Sequence, residues 1–99
     1  MARLDVHRQP DGALVLDCQA DILSGLNTRL VVPLLPPDEA PAVAADRLNP
    51  KFEIEGETVI MFTQFASAMP IRELGTPIVS LAKEHSAIMN ALDMLLTGY

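Results

Sequence analysis

The chain has 99 residues, 49% of them hydrophobic and 20% charged, with a formal net charge of −6. Those figures exclude a disordered chain and give room for one core, so residues 1–99 are expected to form one domain. Thirteen acidic residues stand against seven scattered basic ones, Arg3, Arg8, Arg29, Arg47, Lys51, Arg72 and Lys83. That balance argues against a protein that grips phosphate backbones by bulk attraction.

Leu4 to Arg8 alternates, Pro10-Asp11-Gly12 is turn chemistry, and Ala13 to Cys18 alternates again, with Leu14 and Leu16 on one face and Val15 and Asp17 on the other. The two runs predict an N-terminal hairpin. Asp21 to Asn27 reads as a loop carrying Ile22 and Leu23. Arg29 to Leu35 is β-branched and apolar, the best central strand, and Pro33 forces a bulge or an unpaired position within it. Pro36 to Asn49, with three prolines and a run of alanines, reads as a loop with a short helical turn around Ala42 to Leu48.

Lys51 to Ile54 and Thr58 to Phe62 flank Glu55-Gly56-Glu57, a hairpin whose second arm, Val59 to Phe62, is apolar on both faces and so fully buried. Ile71 to Leu74 reads as one more short strand, and Gly75-Thr76-Pro77 as a break. From Ser80 the chain reads as one helix to Tyr99, with Ser80 as N-cap. Its apolar stripe is Leu81, His85, Ile88, Leu92 and Leu95, with Ala82, Met89 and Leu96 beside it. Five or six short strands followed by a long helix predict a mainly β (α+β) domain, a small bent antiparallel sheet or barrel with the helix packed on it. The apolar stripe persists to the end of the helix, which predicts burial in the core, in a second copy or in a partner.

Reactive chemistry is harder to find. Cys18 is the single cysteine and lies in an apolar strand pattern, so it reads as a small core residue in a reducing, cytoplasmic setting. His7 and His85 are the two histidines and lack further ligands at metal-binding spacing, so no metal or cofactor is expected. Glu55 and Glu57 flank a turn glycine and read as solvated turn residues, and Thr63, Gln64 and Ser67 as a strand end. Ser67, Ser80 and Ser86 have no nucleophile elbow around them, and one Tyr without Trp makes no base-stacking surface. No catalytic residue is therefore expected. Arg3, Asp5 and His7 interrupt any leader-like apolar run, and no stretch has the length of a membrane span.

Three blocks together resemble the CcdB family of toxins from bacterial toxin–antitoxin modules. The first is Gln19-Ala20-Asp21-Ile22-Leu23 followed by Thr28-Arg29-Leu30-Val31-Val32-Pro33-Leu34. The second runs from Asn49-Pro50 to Gly56, then Met61, Ala66-Ser67-Ala68-Met69-Pro70 and Leu74-Gly75. The third is Leu81, Ile88, Asn90-Ala91-Leu92 and the late Gly98. The resemblance implies an SH3-like, partly open barrel of about five antiparallel strands, a small extra sheet and a long C-terminal α-helix. It also implies a symmetric homodimer, with a CcdA-like antitoxin and DNA gyrase A as partners. Non-covalent poisoning of gyrase, repression together with the antitoxin, and a role in plasmid maintenance are implied as well. No direct nucleic-acid or membrane binding is expected of the toxin alone.

Carried over by position, gyrase binding falls on Ile22, Leu23, Asp93, Leu96, Thr97, Gly98 and Tyr99. Asp93 stands where the family has Asn, Leu96 where it has Phe, and Thr97 where it has Trp. Such an aromatic anchor is typically worth about 2 kcal/mol or more when truncated. Leu92, Leu95, Leu96 and Tyr99 are the expected dimer contacts, and Asp38, Glu39, Asp46 and Arg47 the expected antitoxin contacts. Two further readings stay open. One is a MazF-like ribonuclease toxin on the same barrel, against which the acidic balance counts. The other is a homologue that binds antitoxin without poisoning, as Thr97 permits.

Overall fold

The computed structural model describes residues 2–39 and 47–98. The expected helical turn at Ala42 to Leu48 therefore lies mostly outside the described residues.

Strands β1 (Asp5–Arg8) and β2 (Leu14–Asp17) form the predicted hairpin, in register from Val6↔Leu16 to Arg8↔Leu14. Gly12 sits at φ +91° in its turn, and Asp11 Oδ1 accepts the Ala13 N–H at 2.9 Å. Strand β3 (Thr28–Leu35) pairs with β2 without a break from Leu14↔Leu34 to Asp17↔Val31. Pro33 causes no bulge against β2, because its missing donor faces the other side. There its carbonyl accepts the Phe62 N–H at 3.0 Å, and N–H and C=O of one strand residue point the same way. On that side β3 changes partner, and the residue without an N–H falls in the handover.

Hairpin β4 (Lys51–Ile54) and β5 (Glu57–Met61) turns through Glu55 (φ 54°) and Gly56 (φ 82°). Two successive positive φ values make the mirror-image turn that matches strand twist. The hairpin joins the sheet at Leu34↔Met61 and Leu35↔Ile60. Val59, Ile60, Met61 and Phe62 are all buried, as their two-faced apolar pattern predicts. Strand β6 (Ser67–Pro70) pairs with the first half of β3, and β7 (Thr76–Ser80) pairs with β1, with an irregularity between Val6 and His7. The run β6–β3–β2–β1–β7 is the five-stranded antiparallel SH3-like half-barrel, and the β4–β5 hairpin, expected as a separate small sheet, instead extends the same seven-stranded sheet through the pairing of β5 with β3.

Three local expectations are corrected. Ile71–Glu73 is a 3-10 turn between β6 and β7, not a strand. Thr76 and Pro77 belong to β7, not to a break. Pro77 is tolerated because β7 is an edge strand paired only with β1, so its missing N–H interrupts no ladder on the open side. The terminal helix α1 (His85–Thr97) starts five residues later than Ser80 and follows a 3-10 turn at Ala82–Glu84. Ser80 pairs with Asp5, and the Leu81 N–H donates to Leu4 O at 2.8 Å. With that backbone committed to β1, Ser80 Oγ caps only the 3-10 turn, at 3.1 Å from Ala82 N. His85 is consequently the first helical residue and exposed, not part of the buried stripe, which is Ile88, Ala91 and Leu92.

The main core gathers Val6, Leu16, Cys18, Val32, Leu34, Phe52, Ile54, Val59 and Met61 from one face of the sheet against Leu81, Ile88, Ala91 and Leu92. The opposite face of β1–β3 is buried as well. Val15, Val31, His7, Asp17 and Arg29 lie there, the last three at 0% exposure. His7 Nδ1 is 3.0 Å from Gly75 O, and since a carbonyl only accepts, Nδ1 carries the proton.

Burial, reinforced by the neighbouring Asp17 carboxylate, pushes the Cys18 thiol from 9.0 up to about 12, with Arg3 opposing. At neutral pH its thiolate fraction falls about a thousandfold. Folded protein is therefore expected to resist iodoacetamide at pH 7.5, while urea-unfolded protein is alkylated freely, as intact-mass spectrometry would show. Between pH 9 and 12 the unfolded chain holds fewer protons than the folded one at this thiol. Stability should thus fall as pH rises through that window, and Cys18→Val should flatten the fall.

Candidate functional site

The loop between β2 and β3 is built to hold apolar side chains in water. Ala20 O accepts the Leu23 N–H at 3.0 Å and Asp21 O accepts the Ser24 N–H at 3.0 Å, which closes a 3-10 turn at Asp21–Leu23. Gln19 clamps this turn to β3: its Nε2 donates to Leu23 O at 3.1 Å and its Oε1 accepts the Leu30 N–H at 3.2 Å. Beneath it, Arg29 Nη2 lies 2.7 Å from Asp17 Oδ2, both side chains fully buried, and reaches Gln19 O at 3.5 Å. Asp17 Oδ1 accepts the Gln19 N–H at 3.0 Å. A buried ion pair thus stands under an exposed turn.

On that turn Ile22 is 91% exposed, and Leu23, Leu26 and Leu30 are exposed around it. Their exposure loses the burial energy that apolar side chains ordinarily gain, which is the mark of an interaction surface. Leu26 and Leu30 were not anticipated. Leu30 stands in an apolar strand between two buried residues, and nothing in its neighbours distinguishes it from the core.

The helix end supplies a second exposed group. Leu96 is 78% exposed, and Leu95, Asp93 and Thr97 are exposed beside it. Leu92 lies in the chain's own core. Thr97 Oγ1 donates back to Asp93 O at 2.7 Å, and Gly98, at φ 81°, closes the helix with its N–H on Met94 O at 2.9 Å. Tyr99 lies outside the described residues. Phe65, also exposed, stacks on Phe62 with ring centroids 5.4 Å apart, in the 3-10 turn Thr63–Phe65 that packs against α1. Arg3 connects the two groups: its N–H donates to Asp21 Oδ1 at 2.7 Å and its Nη2 to Met89 Sδ at 2.9 Å. Met89, Leu92, Asp93 and Leu96 share one helical face, with Leu96 about 10 Å along it from Met89.

Asp38 and Glu39 are exposed on a turn closed by the Glu39 N–H on Pro36 O at 3.0 Å. Glu39 borders a cavity of about 350 Å³, whose apolar lining includes Leu14, Pro36 and Val59 and whose exposed carboxylates are Asp11, Glu39 and Glu57. Arg8, the cation in that lining, is engaged by Glu55 at 2.7 Å. Arg47 is exposed at the far end of the loop, and Asp46 lies outside the described residues.

Thr63, Gln64 and Asn49 turn out to be a structural knot. Thr63 Oγ1 donates to Leu48 O at 2.6 Å, and Asn49 Nδ2 donates to Met61 O at 3.0 Å and Gln64 Oε1 at 2.7 Å. Among the described residues no three His, Cys, Asp or Glu side chains are grouped as metal ligands, and no helix is long and apolar enough to cross a membrane.

Among curated proteins none matches this sequence. The sequence does match the family described as CcdB protein across residues 3–98, nearly its whole length, and with the half-barrel and helix in place the chain belongs to the CcdB family.

Proposed function

We propose that this protein is the toxin of a type II toxin–antitoxin module. It acts in the cytoplasm as a homodimer that binds DNA gyrase A without covalent chemistry, and a CcdA-like antitoxin neutralises it. Family membership supports the toxin reading. The observation that carries the docking reading is Ile22, held almost wholly in solvent on a turn braced by Gln19 and a buried ion pair. Ordering these side chains in advance lowers the entropic cost of association. Leu95 and Leu96 supply apolar area for the two-fold seam, and Ile22, Leu23, Leu96 and Gly98 the contact with gyrase.

The concavity beside Glu39 supports an antitoxin segment that combines apolar with basic residues, since its lining combines apolar side chains with exposed carboxylates. The Thr97 hydroxyl, turned back onto Asp93 O, favours Ile22 and Leu96 as the anchors in place of the family's Trp position. The same observation favours the second reading, a homologue that binds antitoxin and no longer poisons gyrase.

Expression in a gyrase-dependent bacterium should arrest growth, and co-expression of the module's antitoxin should restore it. Ile22→Asp should weaken binding to the gyrase A fragment by about 2 kcal/mol, roughly thirtyfold in Kd, with unchanged melting temperature, whereas Leu96→Asp should weaken it by a similar amount and also lower the melting temperature, because Leu96 serves the seam as well. A harmless protein that still binds antitoxin selects the second reading. A wild-type dimer that cleaves total RNA selects the ribonuclease alternative.

A further inference from the structure

The Arg3 contact to the helix ends on a sulfur atom. Nη2 of Arg3 lies 2.9 Å from Met89 Sδ, and Nε of the same guanidinium is buried with no partner. Nε and Nη2 share one edge of the guanidinium plane, so a single strong acceptor placed there would serve both. A thioether is a weak acceptor. A sulfoxide oxygen is a strong one.

Met89 is half-buried, whereas Met61 is fully enclosed, so a small oxidant reaches the first and not the second. We propose that Met89 is an oxidation site for peroxides and that Arg3 holds the product sulfoxide. The sulfur attacks one peroxide oxygen, an S–O bond forms and the O–O bond breaks. Sulfur gives up two electrons, and the other oxygen, taking the proton of the oxygen that stays on sulfur, leaves as water from hydrogen peroxide or as an alcohol from an organic peroxide.

Oxidation of a core methionine ordinarily disrupts packing, because a polar oxygen enters an apolar site. At Met89 the oxygen instead finds two donors, one of them otherwise unpaired. The modification therefore tightens the seam between the turn that carries Ile22 and the helical face that carries Leu96. Arg3 already grips both sides of that seam through Asp21 and Met89. The chemistry does not depend on what the surface docks with.

Met69 and Met94 are also half-buried, so the test uses a Met69→Leu/Met94→Leu background, a volume-conserving change. Folded protein is treated with hydrogen peroxide and mapped by peptide mass spectrometry. One added oxygen is expected on Met89, with Met61 unmodified. Thermal melts then compare reduced and oxidised protein in three forms: Arg3 intact, Arg3→Lys and Arg3→Gln. The oxidised form should match or exceed the reduced one where Arg3 is intact, and should fall at least about 4 °C below it in both variants.

The Arg3 Nε–H resonance in the protein with Arg3 intact gives a readout that needs no variant to fold. It should move downfield on oxidation. An unmodified Met89 after treatment, an equal loss of thermal stability in all three forms, or an unmoved Nε–H signal would overturn the proposal.

Discussion

Gly75→Ala is expected to lower the thermal midpoint by roughly 15 °C, the equivalent of about 3 kcal/mol in a domain of this size. A Cβ at Gly75 would land on the carbonyl oxygen of Arg8, 2.6 Å from its carbon and 3.0 Å from Gln9 Cα. All three are backbone atoms of β1 or the residue after it, so no rotamer change relieves the clash and the two strands must part. Parting them also breaks a reciprocal lock. The Gly75 N–H donates to Gln9 Oε1 at 2.8 Å, and Gly75 O accepts from His7 Nδ1 at 3.0 Å. His7 is fully buried and would lose its partner, which adds desolvation to the steric cost. Circular dichroism melts check this, with Gly25→Ala as the control, because a Cβ there meets nothing within 4 Å. A Gly75→Ala protein that melts with the wild type would mean that β1 and β7 do not approach as described.

Asp17→Asn is expected to cost about 4 kcal/mol in urea unfolding. The substitution removes the carboxylate paired with a guanidinium that has no exposure to water, and Arg29 Nε and Nη1 have no hydrogen-bond partner among the described residues. An uncompensated buried charge is far more expensive than a missing pair. The double variant Asp17→Leu/Arg29→Met should therefore recover most of the loss. The effect should also reach the surface. Asp17 and Arg29 hold Gln19 from below, and Gln19 holds Leu23 and Leu30, so amide exchange at those two positions should quicken in Asp17→Asn. The Arg29→Met partner change tests whether the turn needs the ion pair or only a filled interior. If the double variant melts no higher than Asp17→Asn, the cost lies in lost hydrogen bonding and not in stranded charge.

The same pair bears on the ribonuclease alternative. An RNA groove needs exposed cations. Arg29 is enclosed with Asp17 and so is withdrawn from any surface, and the charge of the exposed Arg8 is met by the Glu55 carboxylate.

Much of this was legible before any coordinates. Pro10-Asp11-Gly12 and Glu55-Gly56 mark their turns because those residues adopt the backbone angles a reversal needs, whatever surrounds them. Val59 to Phe62 announces burial on both sides because no polar residue interrupts it. Ile22 and Leu96 were singled out through a family resemblance, and their exposure could not be derived from an apolar pattern that looks the same in a core and on a docking face.

What sequence by itself determined here is therefore local: where the chain reverses, which strands are enclosed, and that its last segment is an apolar helix. Tertiary structure alone decided that Thr76–Ser80 is a strand, that the helix waits until His85, and that Arg29 goes inside while Leu30 stays out. In each of these cases the deciding partner lies far along the chain. Arg8 and Asp5 draw in β7, Leu4 takes the Leu81 N–H, and Asp17 neutralises Arg29. A propensity summed over neighbouring residues contains no term for a hydrogen bond or a charge contributed from more than ten residues away.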